Sequence, residues 1–207
     1  MNKRSITTGN FLSIKPKKLV QIGDERLRKV IGEAEQKGCW LIYGKEKHGK
    51  TWFTLQLAKE LAKQERVLYI SAEEGLDKSF QGAALRAGIT SKDKILWEPY
   101  LDIEQIREKL NKRKSANIVF IDNLTVYEDE IKKSELKRFI EEFPDKLLIF
   151  VAHEERQEAY PAIGRQAKKL AKVIFRVQAF KIEVTSRFCD GGTLKIDNKQ
   201  SKLIWGE

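Results

Sequence analysis

Gly44-Lys45-Glu46-Lys47-His48-Gly49-Lys50-Thr51 lies between an apolar run, Cys39-Trp40-Leu41-Ile42-Tyr43, and a helix-like segment that begins at Thr51. The string fits the pattern G-x-x-x-x-G-K-[ST], whose context is a strand before and a helix after. In that arrangement the loop wraps backbone N–H groups around the α/β-phosphates of a nucleotide, and the helix points its positive end at them. Lys50 is then expected on the β/γ-phosphates and the Thr51 hydroxyl at a Mg²⁺ position. The expectation is a nucleoside-triphosphate site with Mg²⁺.

The remaining pattern says what kind of sheet holds such a loop. Short apolar runs at 67–70, 95–97, 118–121 and 147–152 alternate with helical stretches at 51–64, 76–87, 103–113 and 134–143. That alternation predicts an α/β fold with a mostly parallel central sheet flanked by helices. Residues 23–38 also read as helical, with Leu27, Val30, Ile31 and Ala34 at helix spacing. The final forty residues change character. Close-set β runs at 173–180, 182–185, 193–196 and 203–205, with Asp190-Gly191-Gly192 and Asp197-Asn198 between them, predict C-terminal antiparallel strands at one sheet edge.

Residues 1–20 read as a basic N-terminal arm carrying a lone apolar island, Phe11-Leu12-Ser13-Ile14, and residues 21–207 as one domain. The longest uninterrupted apolar run, 147–152, is far too short to span a bilayer, and the opening residues lack a secretion signal's apolar stretch. A soluble, cytoplasmic protein with no membrane contact is expected. Cys39 and Cys189 lie far apart without metal-ligand spacing and are expected as reduced thiols.

A formal net charge of +10 makes a polyanion, nucleic acid first, the expected partner. The basic residues cluster at Lys15-Pro16-Lys17-Lys18, Lys112-Arg113-Lys114, Lys132-Lys133 with Lys137-Arg138, and at Arg165, Lys168, Lys169 and Lys172, which are spaced for a helix. For any one cluster a solvated basic surface is the alternative.

Two carboxylates complete the expected nucleotide site. Asn117-Ile118-Val119-Phe120-Ile121-Asp122 ends an apolar strand in an aspartate, the Walker B arrangement, which makes Asp122 the metal-shell candidate beside Thr51. Val67-Leu68-Tyr69-Ile70 runs into Ser71-Ala72-Glu73-Glu74, so a carboxylate at that strand end can orient an attacking water; Glu73 is the candidate general base. A solvated acidic loop or a helix cap is the other reading of Glu73.

Taken together these motifs resemble the RecA-like P-loop ATPases, over residues 36–207. The run from Val67 to Glu74 is similar to the segment of RadA-type repair proteins and DnaB-type replicative helicases that holds the catalytic glutamate. The resemblance implies that His153, after Phe150-Val151-Ala152, senses the γ-phosphate. Thr185-Ser186-Arg187-Phe188 resembles a Lys-x-Arg-Phe segment, which implies that Arg187 reaches a neighbouring subunit's nucleotide; the lysine position is Thr185. Asn123 stands where a serine is usual, and the short chain is most similar to stand-alone RecA-like core proteins of phages and mobile elements. Channel loops are implied at 124–133 and 154–165, the second with Arg156, Tyr160 and Arg165.

The resemblance thus implies a Mg²⁺-dependent ATPase, a homo-oligomer in ring or filament form, acting on DNA, single strands foremost, in recombination, repair or replication. Its site residues would be Lys50, Glu73, His153 and Arg187 for catalysis and Thr51 and Asp122 for metal. Two other readings stay open: a regulatory ATPase whose nucleotide state switches protein–protein assembly without DNA, and a small-molecule phosphotransferase.

Overall fold

The computed structural model describes residues 5–15 and 18–196. The expected turn at Asp197-Asn198, the strand at 203–205 and part of the Lys15-to-Lys18 cluster lie outside the described residues. Nine strands form one sheet: β1 (Gly38–Gly44), β2 (Val67–Ser71), β3 (Ile95–Glu98), β4 (Ile118–Asp122), β5 (Leu147–Glu155), β6 (Glu158–Tyr160), β7 (Val173–Gln178), β8 (Lys181–Ser186) and β9 (Gly192–Lys195). Their order is β3-β2-β4-β5-β1-β7-β8-β9, with β6 paired to β5. The first six strands of that order run parallel, and β8 and β9 close the edge antiparallel, as the sequence predicts.

The central strands β2, β4, β5 and β1 are buried on both faces, which is why they read as unbroken apolar runs rather than alternations. On one face pack α2 (Glu25–Ile31), α3 (Lys50–Ala62) and α4 (Lys78–Arg86), around Trp40, Ile42, Phe53, Leu57, Tyr69 and Phe120. On the other pack α5 (Ile103–Asn111), α6 (Leu136–Glu142) and α7 (Ala162–Leu170), around Leu41, Ile70, Ile121, Phe139 and Phe150. Each central strand alternates between these two cores, so adjacent apolar residues serve opposite layers.

The helix expected over 23–38 is shorter. Asp24 caps α2 through the amides of Arg26 and Leu27, and Gly32 ends it at φ 75°. The chain then turns back, and Leu19 bridges Glu35. The body of the domain also reaches into the segment expected as an arm: Val20 is buried, as is Ile22 just after it, and Lys18 pairs with Glu65. Ahead of them, α1 (Thr8–Leu12) buries no residue.

The two segments expected as open loops are built. A 3₁₀ turn (Leu124–Tyr127) follows β4, capped by the Asn123 side chain, and buries Leu124 and Tyr127. Residues 154–165 form the β5–β6 hairpin and the start of α7. No helix among the described residues is long and apolar enough to cross a membrane.

Candidate functional site

The carboxyl ends of the parallel strands bring the predicted residues to one edge of the sheet. In register, Gly44 of β1 lies beside His153 of β5, and Ser71 of β2 lies beside Asp122 of β4. The glycine-bearing loop turns from β1 into α3 through Gly49, at φ 92°. Gly44 is required by packing as well as by the loop, since a Cβ there would stand 2.2 Å from the Val177 carbonyl oxygen on β7. Lys50, Thr51, Glu73, Asp122 and His153 thus share an edge, which is where ligands sit in open α/β sheets.

Their side chains, however, are already engaged with one another. The Tyr69 hydroxyl donates to Asp122 Oδ2 at 2.5 Å in a buried pair. Burial raises the Asp122 carboxyl to about 6, with the Tyr69 bond and Lys50 opposing and Glu74 and Glu73 adding to the shift. Glu73 is positioned by its own amide, which donates to the Asp122 carbonyl at 3.3 Å. Its carboxylate accepts from Asn123 Nδ2 at 2.9 Å and lies 3.2 Å from His153 Nε2. The His153 hydrogen bond, then that of Asn123, outweighs burial and holds Glu73 at about 2. A carboxylate so stabilised as an anion is a weak general base, because catalysis is best served by a pKa near the working pH.

Thr51 is also occupied: its hydroxyl donates to Glu74 Oε1 at 3.3 Å. Burial lowers the Lys50 ammonium pKa, while Asp122, Glu73, Glu46 and Glu74 all act on it in the opposite sense. The loop is further tied to the β7–β8 turn, where the Phe180 amide donates to the His48 carbonyl at 3.0 Å and the Ala179 amide to His48 Nδ1 at 3.2 Å. The metal hydroxyl, the metal carboxylate and the base thus each have a partner within the chain.

Arg187 is not at this edge. Because β8 runs antiparallel, its end residue Ser186 pairs with Val173, at the start of β7. Arg187 follows there, donating its amide to the Lys172 carbonyl at 2.9 Å and Nη2 to the Lys169 carbonyl at 3.3 Å, at the C-terminal end of α7. Its charge and that of Lys172 act on the Cys39 thiol at the beginning of β1, a group that burial pushes up to about 12.

Sequence reasoning passed over Tyr69, which reads as one more apolar residue of a buried strand. The signal was there in principle, since a buried tyrosine hydroxyl needs an acceptor. Asn123 stood out as a departure from a motif. Its function in this fold is to hold Glu73 with one end of its amide and, with the other, to accept from the Thr125 amide and hydroxyl at 3.0 Å.

Comparison with known proteins agrees with this geometry. Residues 24–158 match the sequence model of the iSTAND family, described as inactive STAND. The DNA repair protein RadA of Aquifex aeolicus (strain VF5) is 29% identical over 113 residues, which are 54% of this chain and 25% of that protein. The chain thus spans about a quarter of that relative's length. Among solved structures, the flagellar accessory protein FlaH from Methanocaldococcus jannaschii superposes with a TM-score of 0.58 at 16% identity, over 86% of this chain and 91% of that one. A second solved structure, described as an ATPase domain, does so with a TM-score of 0.61 at 17% identity, over 88% and 89%. At such identities the likeness shows the shared P-loop α/β architecture and nothing of the chemistry.

These findings correct the expectation of a RecA-like ATPase of the RadA or DnaB type, or of a phage or mobile-element core protein. The inactive family overturns the Mg²⁺-dependent ATP hydrolysis, the ATP and Mg²⁺ cofactors, and the DNA-processing function in recombination, repair or replication that rested on them. The structure adds that Thr51, Asp122 and Glu73, whose identities match a motif, are each hydrogen-bonded to another side chain of the same edge. The match extends over most of the sheet, from α2 to β6, and the chain belongs to the iSTAND (inactive STAND) family.

Proposed function

We propose that this chain is a regulatory P-loop module that acts by protein–protein association, in the first instance with further copies of itself, without nucleotide turnover and without DNA. The observation that carries this reading is the match to an inactive family, beside strand-end carboxylates bonded within the chain, Asp122 by Tyr69 and Glu73 by Asn123 and His153. Under it, the bonds of Asp122 to Tyr69, of Glu73 to Asn123 and His153, and of Thr51 to Glu74 stiffen the carboxyl edge of the sheet. The arm supports an associating function, because Ile6, Phe11, Leu12 and Ile14 are 57%, 61%, 76% and 62% exposed and α1 buries nothing. Apolar side chains exposed together on a chain this rich in charge mark a contact surface.

Two measurements on the full chain test the proposal. Phosphate release from ATP should stay at background with and without single-stranded DNA, and light scattering should give a mass above the monomer that falls when residues 1–15 are deleted. DNA-stimulated phosphate release would overturn the regulatory reading, and a monomer at every concentration would overturn self-association.

A further inference from the structure

The basic helix singled out in the sequence divides into two sets once folded. Lys168 pairs with Glu158 at 2.9 Å, and Lys172 with Glu35 at 3.0 Å, a carboxylate it shares with Lys37, so both have a partner within the chain. Arg165 and Lys169, one turn apart on α7, are exposed, and among the described residues their side chains have no ion-pair partner. Lys133, before α6, joins them. These three cations line a surface cavity of about 280 Å³ with Ser134, Gln166 and Ala162, and no acidic or aromatic side chain contributes to its wall.

Like charges one helical turn apart repel, and a third brought to them from another element adds to that cost. In a chain with 30 acidic residues, the other two cations of this cluster are matched, whereas these three are held together without a carboxylate among them. The groups around the cavity are donors of complementary kinds: a planar guanidinium fork, two ammonium groups, a hydroxyl and an amide. Such a set suits a compact, multiply charged oxyanion with several acceptor oxygens. The wall's lack of an aromatic ring removes the stacking platform that single-stranded nucleic acid uses. α7 begins at this cavity without a side-chain cap, which leaves its positive end uncompensated on the same side.

We propose that the Lys133–Arg165–Lys169 cavity is a docking site for a phosphoserine- or phosphothreonine-bearing segment of a protein partner. The phosphate dianion sits among the three cations, with Arg165 as the bidentate donor and Ser134 and Gln166 as neutral donors. The site lies on the α6–α7 layer, away from the glycine-bearing loop on the α3 layer. It rests on the regulatory reading above only for the source of the phosphate, a protein. Peptide binding is measured separately from self-association, so the two can fail independently.

The test is fluorescence anisotropy of the full chain with a labelled peptide of uncharged residues around one phosphoserine, beside its unphosphorylated twin. Binding is expected for the phosphorylated peptide alone, weakening with added salt. Arg165→Gln with Lys169→Gln should weaken it by about tenfold or more, as loss of charge-assisted hydrogen bonds requires. Lys92→Gln, an exposed lysine outside the cavity, should leave it unchanged. Thermal unfolding of the double variant without peptide should be unchanged or shifted upward, since a repulsion has been removed. Equal binding of the two peptides would overturn the proposal, and so would competition by inorganic phosphate as strong as by the phosphopeptide. Tighter binding of a single-stranded oligonucleotide, lost in the same double variant, would assign the cavity to nucleic acid instead.

Discussion

The hydroxyl of Tyr69 donates to Asp122 Oδ2 at 2.5 Å, across the neighbouring strands β2 and β4. The tyrosine ring is fixed for this by stacking on Phe120, at 5.4 Å between centroids, and by Trp97 and Phe80 on its other sides. Burial pushes its phenol well above the usual range, so it stays a donor at any ordinary pH. Tyr69→Phe should leave Asp122 without this donor and destabilise the fold by about 1–3 kcal/mol in urea unfolding at neutral pH. An unchanged midpoint would show that the bond contributes nothing.

Asp122 also sets the sign of one pH dependence. Its carboxyl titrates at about 6 in the folded chain against an ordinary 3.8, so the native state binds this proton more tightly than the unfolded one. Stability should therefore fall as pH rises from 3.8 to about 6 and change no further above it, a loss of roughly 2–3 kcal/mol. Asp122→Asn should remove that slope. Urea midpoints taken across this window, with the same slope in both proteins, would refute the assignment.

Glu73 slopes the other way. Held at about 2 against an ordinary 4.5, it contributes stability above 4.5 that is lost as pH falls toward 2. Glu73→Gln should flatten the acid limb of the unfolding profile while leaving phosphate release from ATP at the same background as the unaltered protein. A drop in release in this variant would restore a catalytic function to the residue.

Lys50→Ala removes a lysine on which Asp122, Glu73, Glu46 and Glu74 all act. The cost should appear as lost stability, about 1–3 kcal/mol, because partly buried carboxylates lose their compensating charge. Chemical denaturation compared with a phosphate-release assay separates the outcomes: the first should change and the second should not.

Two backbone substitutions test how the loop is held. Gly44→Ala would drive a methyl group into the Val177 carbonyl and should destabilise by about 1–3 kcal/mol or more. Ala179→Gly should do the reverse by up to about 1 kcal/mol, since Ala179 and Phe180 occupy left-handed backbone at φ 46° and 61° in the β7–β8 turn. Thermal unfolding of both variants reads the signs directly.

Much of the fold was legible along the chain. Unbroken apolar runs such as 67–70 and 118–121 are strands covered on both faces, and the amphipathic stretches between them supply the covers, so a parallel sheet follows from local pattern alone. The glycine-bearing motif singled out Lys50 and Thr51, the strand ends Glu73 and Asp122, and the resemblance His153, and the fold brings them to one edge. What these side chains do there was decided by pairing across long stretches of sequence. Tyr69 and Asp122 are 53 residues apart, Asn123 and Glu73 are 50 apart, and the antiparallel register of β8 sends Arg187 to the far end of the sheet. The sorting of the cations from Arg165 to Lys172 into Lys168 and Lys172, which have acidic partners, and Arg165 and Lys169, which have none among the described residues, likewise depends on Glu158 and Glu35, brought from other elements. Periodicity is a property of neighbours and survives in the sequence. Whether a donor or a charge has a partner depends on what the tertiary structure puts against it, and here that gave Thr51, Glu73 and Asp122 partners within the chain.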